Sequence, residues 1–101
     1  MTKRKLLSEL HPGKTISEDV LAPLGMSVNA LAQALRVPAT RLNDIVRGRR
    51  GITADTALRL SRFLGTSAEY WLNLQSIYEL RMAEEDKGRV IRKEVQPRDA
   101  A

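Results

Sequence analysis

Two short apolar stripes, set only a few residues apart, constrain this chain more than any other feature. Val28, Leu31, Ala32 and Leu35 recur at the i, i+3, i+4, i+7 spacing of one helical face. Leu42, Ile45 and Val46 begin a second, narrow stripe almost at once. Between them stands Val37-Pro38. Proline drives the residue before it into extended geometry, so the first helix stops there. Ser27 is placed as the N-cap of the first helix and Gly48 terminates the second. Two short helices joined by a tight turn are a helix-turn-helix. Small Ala32 sits where the two helices approach, and Leu31, Leu35, Val37, Leu42 and Ile45 lock them together.

The charge distribution says what such a motif would touch. The chain of 101 residues carries a net charge of +5. Between Arg36 and Arg62 there are seven arginines (Arg36, Arg41, Arg47, Arg49, Arg50, Arg59, Arg62) against two acids, Asp44 and Asp55. Outside that stretch, basic and acidic residues balance. The whole excess is therefore arginine, and it sits on and beside the helix pair. Guanidinium groups pair bidentately with phosphate oxygens and guanine edges, which makes the stretch a candidate DNA surface.

The second helix of the pair can lie in a major groove. With Leu42, Ile45 and Val46 facing inward, 100° per residue puts Thr40, Asp44 and Arg47 outward, flanked by Asn43 and Arg41. Arg47 suits guanine or phosphate, Asn43 suits adenine, and Thr40 suits a base edge or a thymine methyl. Asp44 either accepts from cytosine, fixes an arginine rotamer, or pairs within the helix with Arg47 or Arg41. Arg49 and Arg50 lie just past Gly48 and suit phosphates. Ser27, Asn29 and Gln33, early in the first helix of the pair, are candidates for backbone phosphate contacts.

The remaining pattern predicts about five short helices and an all-α fold, lambda-repressor-like in type. Ile16, Val20 and Leu24 predict a first helix from about Pro12 to Leu21, closed by Pro23 and Gly25. Thr53 caps a fourth helix carrying Ala57, Leu58, Leu60, Phe63 and Leu64, ended by Gly65. Ser67 caps a fifth with Trp71, Leu72, Leu74, Ile77, Tyr78 and Met82. Three segments follow: a basic, loosely ordered arm at 1–10, the helix-turn-helix domain at 11–83, and a charged tail at 84–101. The tail is either a short strand, used in dimerisation, or disordered. The fifth helix and the tail are the chain's spare elements for a dimer interface, and a two-fold dimer doubles the bases read.

The same residues exclude much else. There is no cysteine, and His11 is the single histidine, read as a turn residue. One chain thus holds neither a cysteine-ligated metal nor a Ser-His-Asp triad. No cofactor, metal or catalytic residue is expected, and an enzyme is not the reading. No apolar run reaches the roughly 18–20 residues of a membrane span, so no membrane partner is expected. The four aromatics do not interleave with the arginines, which argues against base stacking on single-stranded RNA.

A resemblance now adds to this. His11-Pro12-Gly13, Leu24-Gly25-Met26-Ser27-Val28-Asn29-Ala30-Leu31-Ala32, Val37-Pro38, Arg41 through Arg50, Ile52 through Leu60, and Gly65 through Gln75 together resemble the HigA (VapI) antitoxins, a branch of the XRE/Cro helix-turn-helix family. The resemblance covers roughly residues 11 to 80. It implies a cytoplasmic homodimer in a type II toxin–antitoxin system. The partner would be a RelE-like, HigB-type mRNA-cleaving toxin, and the dimer would repress its own operon by binding double-stranded operator DNA. It implies Thr40, Arg41, Asn43, Asp44 and Arg47 as groove-facing residues. The alternative is a stand-alone XRE-family repressor with no toxin. Two positions depart from the family pattern. Arg36 stands where relatives often have glycine, and Ala39 stands where they often have a larger polar residue. If the turn needs a positive φ, an arginine there costs on the order of 1 kcal/mol.

Overall fold

Three of the helices begin at hydroxyl caps that their sequence provides. The computed structural model describes residues 3–99, and among them it has six helices and no strand. These are α1 (Lys3–Ser8), α2 (residues 12–24), α3 (Val28–Leu35), α4 (Ala39–Val46), α5 (Ala54–Leu64) and α6 (Ala68–Glu94). The Ser27 hydroxyl accepts from the Ala30 N–H at 3.0 Å, and the Ser67 hydroxyl accepts from the Tyr70 N–H at 3.0 Å. Thr53 does the same for Thr56 at 3.4 Å. These bonds satisfy amide donors that a helix start otherwise leaves orphaned.

Helix α2 runs further than its sequence pattern predicts. It continues through Pro23 to Leu24, and Gly25 closes it with φ 61°. Proline has no N–H to donate, and its ring crowds the carbonyl four residues back. The helix accommodates this by widening to a π-helical stretch over Ile16–Leu21, with the Ala22 N–H reaching the Ser17 carbonyl.

The turn between α3 and α4 contains the expected strain. Arg36 has φ 59° and ψ 44°, and no other described non-glycine residue has a positive φ. Its backbone N–H closes α3 onto the Ala32 and Gln33 carbonyls. We expect Arg36→Gly to raise the unfolding free energy by about 1 kcal/mol, because glycine adopts this conformation without the Cβ penalty. Urea denaturation of the two proteins checks it.

The core forms where the faces converge. Ile16, Leu31, Leu42, Ile45, Ala57, Leu60 and Trp71 are buried. Helix α2 packs on α4 and α6, α5 packs on α3 and α6, and α1 packs on α6. Trp71 anchors the centre, and its indole N–H donates to the Thr66 hydroxyl at 2.8 Å. A buried indole needs such a partner to avoid an orphaned donor.

Both ends of the chain differ from their sequence reading. The arm is not loose, since residues 3–8 form α1. The tail is neither strand nor disordered through residue 94, because α6 continues to Glu94 over 27 residues. The charged run beyond Ala83 is rich in good helix formers (Glu, Lys, Arg), and α1 supports it from one side, with Lys3 Nζ 3.4 Å from Glu85 Oε2. Val90 and Ile91, whose branching made a short strand one of the two readings of the tail, follow the helix instead. Met1, Thr2, Ala100 and Ala101, the outermost residues of the expected arm and tail, lie outside the described residues. Leu58, Phe63, Leu72 and Ile77, assigned to core stripes, are exposed.

Candidate nucleic-acid interface

Helix α4 turns the face expected from its spacing toward solvent. Leu42 and Ile45 are fully buried, while Thr40 and Arg47 are exposed and Asn43 and Asp44 are half-exposed. Positions 40, 43, 44 and 47 are three and four residues apart, so their side chains share one side of the helix. Arg49 and Arg50 continue that side in the turn after Gly48, and both are exposed. Ser27, Asn29 and Gln33 are exposed on α3. The hydroxyl of Ser27 is already engaged as the α3 cap.

Two of the seven arginines hold the motif together. Arg41 does not point freely outward: its Nη1 lies 2.8 Å from Asp55 Oδ2. The same oxygen accepts from Arg59 Nε at 2.9 Å. Arg59 Nη1 then donates to the Leu35 carbonyl at 3.0 Å, capping the end of α3. One carboxylate thus ties α4 to α5, and through Arg59 to α3. Asp55 is held below the usual carboxylate range by its bonds from Arg59 first and Arg41 second. The arginines left for phosphate on and after α4 are Arg47, Arg49 and Arg50.

Asp44 pairs with neither Arg47 nor Arg41. Its carboxylate faces Arg50, Oδ2 to Nη2 at 4.0 Å, and its carbonyl accepts from the Arg49 and Arg50 N–H groups at 2.7 and 3.2 Å. Asp44 therefore orders the turn that carries the two arginines. A pair this long and this exposed gives way readily to phosphate.

Three residues that set the height of α4 and its turn had no such role in the sequence reading. Gly13 packs against the α4 backbone, where an added Cβ would run into the Ile45 carbonyl. His11, read as a turn residue, stands at that turn as the N-cap of α2 and is also buried. Its Nδ1 accepts from the Gly13 N–H at 2.9 Å, and its ring stacks edge-on against Tyr78 with centroids 4.8 Å apart. Gln75 is buried on α6, and its Oε1 accepts from the Ile52 N–H at 2.7 Å, fixing the end of the arginine turn. A glutamine at a core-spaced position of the Trp71–Tyr78 stripe is the signal that marks it.

Burial pushes the His11 ring below the ordinary histidine range, and its hydrogen bond to the Arg50 backbone pulls the other way more weakly. Between the folded value and the ordinary pKa of about 6.5, the unfolded chain binds a proton that the folded protein resists. Stability from this site is complete above about pH 6.5 and falls as the pH drops through the folded value. We expect the melting temperature to decline from pH 7.5 to 5.5 and that decline to flatten in His11→Asn. Asn keeps a cap acceptor but does not titrate.

The comparisons with known proteins agree with this geometry. A helix-turn-helix family model matches residues 18–71. Virulence-associated protein I of Dichelobacter nodosus is 56% identical over 78 residues, covering 77% of this chain and 72% of that protein. Among solved structures, Pseudomonas aeruginosa antitoxin HigA with the higBA promoter superposes with a TM-score of 0.85 at 46% identity, covering 87% of this chain and 96% of that one. Antitoxin GraA in complex with its operator superposes with a TM-score of 0.84 at 46% identity, covering 89% of this chain and 91% of that one.

Proposed function

Because this chain belongs to the helix-turn-helix family of the HigA (VapI) antitoxins, we propose that it is the antitoxin of a type II toxin–antitoxin pair and the repressor of its own operon. It is a DNA-binding regulator by family, not an enzyme. The observation that carries the repressor half is the exposed Thr40, Asn43 and Arg47 face of α4, continued by Arg49 and Arg50, on a fold whose relatives have been solved on promoter and operator DNA. Arg47 and Asn43 read base edges, and Thr40 adds a base or methyl contact. Arg49, Arg50 and the exposed start of α3 (Ser27, Asn29, Gln33) hold the phosphates. Arg41 on the flank of this face and Asp44 on the face itself act mainly by fixing its shape.

The antitoxin half rests on relatives named as antitoxins at close to half identity over most of the chain. The partner is a RelE-like, HigB-type ribonuclease encoded beside this chain and neutralised by direct binding in the cytoplasm. The working form is a homodimer, because one short recognition helix reads only a few base pairs and a two-fold pair doubles that. No described helix is long and apolar enough to cross a membrane.

Co-expression with the product of the adjacent reading frame tests this reading. The neighbour alone should arrest growth, and this chain should co-purify with it and restore growth. Operator binding with neither rescue nor co-purification makes the chain a stand-alone XRE-type repressor.

A further inference from the structure

Residues 48–52, between α4 and α5, carry Arg49 and Arg50 and include two glycines, Gly48 and Gly51. Such a stretch has many shapes open to it, and ordering it only when DNA arrives would subtract from affinity. Here its backbone is tied down along its length, and from behind. At its start, the Asp44 carbonyl accepts from the Arg49 and Arg50 N–H groups. In its middle, the Arg50 backbone is hydrogen-bonded to the His11 ring, which rests edge-on against Tyr78 of α6. At its end, Gln75 Oε1 accepts from the Ile52 N–H at 2.7 Å. Gln75 is only 8% exposed and lies three residues before Tyr78, on the same side of α6. The turn leaves room for it: a Cβ on Gly51 would stand 2.8 Å from Gln75 Nε2 and displace the amide. Ile52 is itself buried, so its N–H needs the partner that Gln75 supplies.

We propose that Gln75 is a positioning residue for DNA binding: from α6 it holds the turn in the shape that presents Arg49 and Arg50 to the phosphates, without touching DNA itself. The inference rests on the repressor reading above. Arg49 and Arg50 are exposed, while Gln75 is buried on the inner side of the turn. A guanidinium gains from a phosphate only where the two meet at hydrogen-bonding distance and angle. Slack at the Ile52 end lets the whole turn shift, and both arginines lose that match together. Thr40 and Asn43 stand on α4, and Arg47 closes it ahead of the turn. The Gln75 bond therefore governs the charge-driven part of binding and leaves base preference alone. A glutamine suits the task because its amide oxygen accepts a hydrogen bond while the group stays neutral. A glutamate there would set a negative charge behind a phosphate-binding turn.

Titrating the full chain and its variants with the duplex upstream of its own gene and with a shuffled duplex, over a series of salt concentrations, tests the proposal. Gln75→Leu removes the acceptor and keeps an apolar side chain in the buried site. It should bind both duplexes about tenfold more weakly, leave their ratio unchanged, and lower the slope of log K against log salt by about 1. Gly51→Ala should do the same with Gln75 intact, because the added methyl takes the place of the amide. Arg50→Ala, costly in the wild-type protein, should cost less than about twofold in the Gln75→Leu background, where the arginine is no longer held in place. Circular dichroism at the titration temperature checks that each variant is folded, and Gly51→Ala carries the test if Gln75→Leu is not. Wild-type affinity and slope in the folded variants overturn the proposal. So does a loss confined to the upstream duplex, which is a base-reading effect, or a loss that adds in full to that of Arg50→Ala, which is a general effect of destabilisation. A wild-type protein that binds neither duplex overturns the repressor reading as well.

Discussion

Gly13→Ala should destabilise the protein by about 3 kcal/mol, at the upper end for a single added methyl group. The usual alanine-for-glycine substitution in a first helical turn is favourable, because it lowers the entropy of the unfolded chain. Here the added Cβ points into backbone, at the Ile45 carbonyl and the Val46 Cα, and backbone in the middle of a packed helix pair cannot step aside as a side chain does. The strain divides between lifting α2 off α4 and shifting α4 itself. Operator affinity should therefore fall even at temperatures where the variant remains folded. Urea denaturation gives the first effect and a DNA titration at low temperature gives the second. A loss below about 1 kcal/mol, within the range of ordinary surface substitutions and mild overpacking, would mean that α2 and α4 are not packed as closely as described.

Arg47→Ala and Arg50→Ala should separate base reading from charge. Arg47 closes α4 with its side chain on the exposed face, one turn from Asn43. Removing it should weaken operator binding by about 1–3 kcal/mol and relax the preference at one base pair. Arg50 sits in the turn beyond the helix, near Asp44. Its loss should weaken operator and unrelated duplex alike and reduce the slope of log K against log salt by about 1. Neither change should alter thermal stability by more than a few tenths of a kcal/mol, since both side chains are exposed. Two variants with the same specificity and the same salt slope would contradict the division of roles.

The sequence displays local features better than those decided across the fold. The helix pair was legible because its signals are short-range: Ser27 before an apolar stripe, Val37-Pro38 at the turn, Gly48 at the end. Arg36 was legible as a strained position for the same reason. The pairing of Arg41 with Asp55 was not, because the partners stand 14 residues apart and meet only when α5 packs beside α4. Arg59 as the cap of α3 is 24 residues from the carbonyl it serves. A run of arginines looks uniform in sequence, and tertiary structure divides it into those that brace the motif and those that face outward. His11 was legible as a turn residue, but its burial was not, because it depends on Tyr78, far along α6. The end of α6 was misjudged because branched Val90 and Ile91 favour strands by local propensity, and α1 supports the helix from outside that segment. Leu58, Phe63, Leu72 and Ile77 fit helical stripes yet face water, and spacing alone does not say what meets a stripe.

The most direct test of the account is a binding titration of the purified protein against the duplex upstream of its own gene and a shuffled duplex of equal length, at low and at physiological salt. The account predicts binding to both at low salt and, at physiological salt, a preference of about 10³-fold or more for the upstream duplex. Equal affinity for the two duplexes at both salts, or no binding at low salt, would contradict it, and the arginines of the α4 face would then have some other use.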